Sequence, residues 1–166
     1  LQVNDSIEGS SSHKITDAWV YIDDELLGAY ELPTTFPVLK EGKHILKVRA
    51  GIKVNGISDS RTKYPFYDFS VDTINLVKGS ITKVDPVVKY FQGVTFVWIE
   101  DFETGNTLTK TNNSDTTIQL IDADTSIGYL GNKSAAIYLD NTHVVYVGTA
   151  SPGEFELPKG PPVYLE

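Results

Sequence analysis

Apolar residues in this chain recur at every second position in short runs, and polar turn formers separate the runs. In AWVYI, residues 18–22, Trp19 and Tyr21 face one side while Val20 and Ile22 face the other. A period of two marks a half-buried strand, and no segment shows a convincing helical period. DDE, residues 23–25, supplies a turn, and LLGAYEL, residues 26–32, returns as the second arm of a hairpin. Pro33 and Pro37 bracket an extended TTF, because each proline fixes its own φ and pushes its predecessor out of the helical region. KEGKHILKVRAGI, residues 40–52, turns at Gly42 and continues as a strand in which Ile45, Lys47 and Arg49 oppose Leu46 and Val48. FSVDTINLV, residues 69–77, and ITKVDPVVKYF, residues 81–91, read as two further strands joined by a turn at Gly79.

A second series follows. VTFVWI at 94–99, TTIQLI at 116–121, SAAIYLD at 134–140 and HVVYVGTA at 143–150 are expected strands, with FELP at 155–158 leading to a final VYLE. The predicted fold class is therefore all-β, and strands at this spacing suit sandwiches and jelly rolls. The expected organisation is a flexible polar tether over residues 1–14, a small β-sandwich over 15–91, and a partial jelly-roll-like β domain over 92–166. An unpaired terminal strand exposes a row of backbone donors and acceptors. Since the closing PPVYLE has no return partner, the natural chain is expected to continue past it.

Composition narrows the classes of function. The chain has 166 residues, 40% hydrophobic and 22% charged, which is ordinary for a folded protein. Its net charge of -8, with 14 basic residues scattered singly, argues against nucleic acid and anionic membrane surfaces as partners. With no cysteine there is no disulfide framework, thiolate zinc site or cysteine nucleophile. No apolar run is long enough to span a bilayer, and LQVNDSIEGSSSHK at the start has neither a charged nor an apolar leader region. Any signal sequence is expected to have been removed. The Ser10, Ser11 and Ser12 run suits a tether and equally a frayed terminus.

Candidate chemistry centres on WIEDFETG, residues 98–105, where Glu100, Asp101 and Glu103 lie within four positions. Such acids make an acid/base pair, a metal site or the solvent face of a strand. A glycosidase holds two carboxylates about 5 to 9.5 Å apart across a cleft. Glu100 and Asp101, being adjacent, point to opposite faces, so the spacing supplies no such pair and the protein is expected not to be an enzyme. His13, His44 and His143 are isolated, and no nucleophile elbow, P-loop or dinucleotide fingerprint occurs. Asp122, Asp124 and Ser126 have the spacing of a calcium loop, but Ile127 stands where its turn requires glycine, which favours an ordinary acidic turn. In the loop over 51–69, Tyr64, Phe66 and Tyr67 surround Pro65. They form either an exposed interaction surface for sugar or a partner strand, or an aromatic cap on the open end of the sandwich.

The first half resembles the PEGA-type surface domain of extracytoplasmic bacterial proteins. Asp17-Ala18-Trp19-Val20-Tyr21-Ile22-Asp23, then Leu27-Gly28, a proline-containing link, and Leu39-Lys40-Glu41-Gly42-Lys43-His44 with Val48 carry the likeness. Asp24 departs from it, standing where that family has glycine, and the link from Tyr30 to Phe36 is longer. Residues 16–166 look like Bacteroidota outer-membrane lipoproteins in which such a domain precedes a carbohydrate-binding-like jelly roll. Phe102-Glu103-Thr104-Gly105 and Gly131-Asn132-Lys133-Ser134 are similar to two elements of galactose-binding-like jelly rolls. That likeness implies Glu103 as side-chain ligand of a structural Ca²⁺ and calls for no other cofactor. Asp5-Ser6-Ile7, Asp72-Thr73-Ile74 and Asp115-Thr116-Thr117 match the O-glycosylation pattern of exported Bacteroidota proteins, which makes Ser6, Thr73 and Thr116 candidate acceptors.

The resemblance thus implies an extracytoplasmic protein of the outer membrane or cell surface, held by an N-terminal lipid anchor outside this chain. The expected function is a non-catalytic cell-envelope structural or interaction protein, a surface lipoprotein subunit whose partners are other outer-membrane proteins. The alternative is a glycan-binding module of a polysaccharide-capture system, with Tyr129, Tyr138 and Tyr146 as candidate sugar-contacting aromatics.

Overall fold

The computed structural model of the chain describes residues 1–3, 13–122, 131–151, 153–157, 159, 160 and 163. Ser6, Asp124, Ser126, Ile127, Tyr129 and the final YLE lie outside the described residues. The protein is all-β. Its strands are β1 (Gln2–Val3), β2 (Asp17–Ile22), β3 (Glu25–Glu31), β4 (Gly42–Lys53), β5 (Arg61–Lys63), β6 (Ser70–Leu76), β7 (Val87–Val88), β8 (Leu108–Lys110), β9 (Ile118–Asp122), β10 (Lys133–Ile137) and β11 (Gly148–Ala150). The chain divides into two compact units, Leu1–Thr95 and Phe96–Glu166.

In the first unit β4 is the spine. It pairs antiparallel with β2 on one side and with both β5 and β6 on the other, and β3 completes the five-stranded sheet beyond β2. The expected alternation is realised: Ala18, Val20 and Ile22 from β2, Leu46 and Val48 from β4, and Ile74 from β6 form the buried core on one face. Leu27 of β3, and Leu32, Phe36 and Val38 of the segment that leaves it, pack against this core. Tyr30 and Phe36 stack with ring centroids 4.2 Å apart, which folds the proline-bracketed link back onto β3.

The hairpin between β2 and β3 turns on Asp23 and Asp24, whose φ values of 53° and 67° are those of a two-residue turn that matches strand twist. Such backbone suits glycine, and aspartate is among the few side chains that tolerate it. The turn is bolted to β4, because Asp23 donates its N–H to the Ile45 carbonyl (2.9 Å) and accepts the Ile45 N–H on its carboxylate (3.1 Å). His44 adds to the bolt. Its Nδ1 meets the Asp23 carboxylate at 2.7 Å and its Nε2 meets the Glu41 carbonyl at 3.0 Å.

Three expectations for this unit are corrected. Residues 1–3 are not tether: Gln2 and Val3 pair in parallel with Val87 and Val88, Val3 is buried, and Leu1 packs on the core. The segment over 81–91 does not return as a full strand beside β6. Pro86 has no N–H to give a ladder, and its carbonyl instead accepts from Gln2 (2.9 Å), so only β7 forms, over the inner face of the sheet. A cavity of about 240 Å³ remains there between Leu46 and Val48 and residues 84–87. Lastly, β5 was not foreseen, because Arg61-Thr62-Lys63 carries no apolar alternation and pairs with β4 through its backbone.

The second unit pairs β9 with β10 and β8 with β11, each antiparallel. β9 and β10 fall on expected runs, whereas β11 covers only the end of the run at 143–150 and β8 was missed. VTFVWI forms no ladder, yet its burial still alternates: Phe96 and Trp98 are half-buried while Val97 and Ile99 are 48% and 52% exposed. No described side chain of this unit is as buried as the core of the first; Leu139 and Val144 are 57% and 65% exposed.

Ile22, 1% exposed at the centre of the first core, is the position where lost packing is felt most. Ile22→Ala is expected to cost about 2–5 kcal/mol in urea unfolding followed by Trp19 fluorescence. A cost under about 1 kcal/mol would place the core elsewhere.

Candidate functional site

The three acids of WIEDFETG sit at the start of the second unit, and each is occupied by hydrogen bonds. Glu100 accepts from the Phe102 N–H (2.9 Å) on one oxygen, and from the Thr107 N–H and hydroxyl (both 2.6 Å) on the other. The Trp98 indole donates in turn to the Thr107 hydroxyl (3.0 Å). Asp101 accepts the Glu103 N–H (3.0 Å). Phe102, at φ 62°, bends the chain so that Glu100 and Glu103 each reach a different loop. Trp98 and Phe102 are half-buried, and Trp98 meets the Phe155 ring at 6.2 Å.

Glu103 reaches the loop at Gly131, the pairing that the calcium expectation required, but N–H groups face it instead of carbonyls. Oε1 accepts from the backbone of Asn132 (2.7 Å) and Lys133 (3.1 Å), and Oε2 from the Asn132 amide side chain (3.2 Å). Three of the carboxylate's roughly four lone-pair directions are thereby spent on donors. Calcium needs six to eight oxygens, and among the described residues no group of three His, Asp or Glu side chains gathers. The residues present do not fit calcium at Glu103, and that expectation is corrected. Gly131 makes the contact possible: its φ is 137°, and a Cβ there would lie 2.3 Å from Glu103 Oε1.

The same device recurs. Asp115 accepts the Val144 (2.9 Å) and Val145 (3.0 Å) N–H groups, and Asp140 accepts those of Thr142 and His143 (both 2.7 Å). Hydrogen bonds to the ionised form hold the Glu100, Glu103, Asp115 and Asp140 carboxyls below their ordinary range. The Lys133 N–H acts most on Glu103, the Val145 N–H on Asp115 and the Thr142 hydroxyl on Asp140. Burial pulls Glu100 upward, and the donors from Thr107 and Phe102 outweigh it.

The aromatic loop is a cap. Tyr64 and Tyr67 are each 4% exposed, with ring centroids 4.5 Å apart, and Tyr90 joins at 4.8 Å from Tyr67. Phe66 is half-buried and stacks on Phe91 at 6.5 Å. The expectation of an exposed interaction surface at Tyr64, Phe66 and Tyr67 is corrected, because large rings gain most where they exclude water together. Tyr138 follows β10 and is exposed, while Tyr146 precedes β11 with its hydroxyl enclosed over Gly148, so these two are not built as one platform. Thr73 is exposed on β6, and Thr116 is half-buried with its hydroxyl 3.4 Å from the Tyr138 carbonyl.

A different surface was missed. On the outer face of the first sheet, Trp19 stands opposite Arg49, Tyr21 opposite Lys47, and Gly51 between Asp17 and Lys63. The Trp19 ring lies down over Gly51, its Cζ3 occupying the space 2.1 Å from where a Cβ would be. Arg49 lies over the Phe69 ring (5.3 Å to the centroid), and Lys63 donates to the Tyr21 hydroxyl (2.7 Å). Lys47 is paired with Asp24, and Arg61 with buried Asp17 and with Glu31. The signal in sequence was the Trp19 and Tyr21 alternation, which identified two faces without showing what gathers on the outer one.

No protein-family model, curated protein or solved structure matches the chain. The likenesses to PEGA-type and galactose-binding-like domains therefore rest on the motif residues alone. Among the described residues no helix is long and apolar enough to cross a membrane.

Because the native carboxyls titrate below the unfolded value of roughly 4, the stability they contribute is complete above that value. It is lost as pH falls through their lowered native values. Amide exchange at Asn132, Lys133, Val144 and Val145 is expected to lose protection on acidification below about pH 4. Protection unchanged at pH 2 to 3 would show that the carboxylates do not hold these loops. Gly131→Ala is expected to introduce strain of about 1–3 kcal/mol and to release Asn132 and Lys133 at neutral pH, read by the same exchange experiment.

Proposed function

We infer that this chain is a non-catalytic interaction protein of the bacterial cell envelope, a surface lipoprotein subunit that docks to other outer-membrane components. The observation that carries the reading is the outer face of the first sheet, which displays Trp19 and Tyr21 among Arg49 and Lys63. Partly exposed aromatic and arginine side chains are the groups that dominate contact surfaces. The acids of WIEDFETG support the non-catalytic part, since a carboxylate committed to two or three N–H donors is a poor proton shuttle. The extracytoplasmic setting and the lipid anchor rest on the PEGA-like motif residues.

Glycan binding is the second reading, and the recumbent Trp19 ring favours it, because a ring lying on a sheet offers a flat apolar patch. Purification of the full-length protein from its native membrane is expected to recover a stoichiometric partner, and Trp19→Ala to lose it. A monomer without partners from the wild-type membrane would remove the docking reading.

A further inference from the structure

We propose that the outer face of the first sheet binds an acidic polysaccharide, with Trp19 as the stacking platform and Arg49 and Lys63 as the carboxylate-binding cations. The inference rests on the reading of this face as the contact surface and names its ligand class. Trp19 spans from β2 toward Gly51 on β4, where the absence of a side chain leaves room for the indole to lie on the backbone. The indole N–H has no acceptor among the described residues and is left for a ligand hydroxyl. A pyranose ring presents a flat C–H face, and covering an indole with it removes apolar surface from water while the sugar's hydroxyls stay at the rim.

Charge selects among sugars. The chain as a whole, with 22 acidic against 14 basic residues, repels a polyanion, so any attraction is local to this face, where Lys47 and Arg61 are already paired with acids. Arg49 and Lys63 are in no ion pair among the described residues. Lys63 is held by the Tyr21 hydroxyl and ring, and Arg49 by the Phe69 ring. A guanidinium stacked on an aromatic face keeps its in-plane N–H edge for a carboxylate. Its Nε is enclosed and without a hydrogen-bond partner, so a carboxylate on the surface would have to meet the terminal Nη groups. Arg49 and Gly51, the partner of Lys63, are same-face neighbours on β4, so the two cations arise about 7–8 Å apart beside the ring.

The test is calorimetric titration of the full chain with polygalacturonate and with a neutral galactan of similar length, at 50 and 200 mM salt. Saturable binding of the acidic polymer is expected, with the neutral one at least tenfold weaker. Trp19→Ala is expected to abolish binding and Trp19→Tyr to restore part of it. The Arg49→Gln, Lys63→Gln double variant is expected to remove the preference for acid while leaving circular dichroism unchanged. Equal binding of both polymers, no binding of either, or binding that survives Trp19→Ala would each overturn the proposal. Loss of the native-membrane partner by Trp19→Ala without polysaccharide binding overturns the acidic ligand alone; a variant that alters neither overturns the contact face as well.

Discussion

A backbone N–H that no neighbouring strand reaches still needs an acceptor, and this chain answers that need in two ways. In the first unit β4 gives its N–H and carbonyl groups to three partner strands, so the ladder itself satisfies the backbone. In the second unit the described ladders are short, and carboxylates take the place of the absent carbonyls. An ionised carboxylate is the better acceptor of the two, since hydrogen bonds to a charged group are shorter and stronger than neutral ones. Glu103 joins two segments about 30 residues apart with one side chain, as Asp115 does for Val144 and Val145.

That difference separates the units energetically. The first has an apolar core, with Ile22 and Val88 fully enclosed, and its acids serve as bolts on a structure already packed. Asp23 fixes the β2–β3 turn to β4, and buried Asp17 accepts from Arg61 and from the Thr16 hydroxyl (2.6 Å). In the second unit exposed valines and leucines contribute little hydrophobic stabilisation, and the order of the loops depends on hydrogen bonds that need negative charge. A carboxylate that must stay ionised and in place to hold a loop is ill suited to exchanging protons with a substrate.

The proposed contact surface accordingly lies on the outer sheet face and not at the acids. The inner face of β2 and β4 is spent on the core, which leaves Trp19, Tyr21, Arg49 and Lys63 on the other side of the same strands. Gly51 and Lys63 matter for opposite reasons: one is small enough to lie under an indole, and the other long enough to reach across to Tyr21.

Local pattern alone determined the all-β class, the two faces of β2 and β4, the turn at Asp23 and Asp24, and the strands β6, β9 and β10. These depend on residues adjacent in sequence, where period-two alternation and turn chemistry act directly. Whether an extended run finds a partner depends on chain far away, so VTFVWI kept its alternation without a ladder, and β5 and β8 paired without any apolar pattern. The same limit applied to the sites. Spacing identified Glu103 and the Gly131 loop as a pair, but only the fold showed that amide hydrogens, and not carbonyl oxygens, face the carboxylate. Likewise Tyr64 and Tyr67 advertise an aromatic cluster in sequence, while their burial against Tyr90 was decided by tertiary packing, since an aromatic run reads alike whether water or another ring covers it.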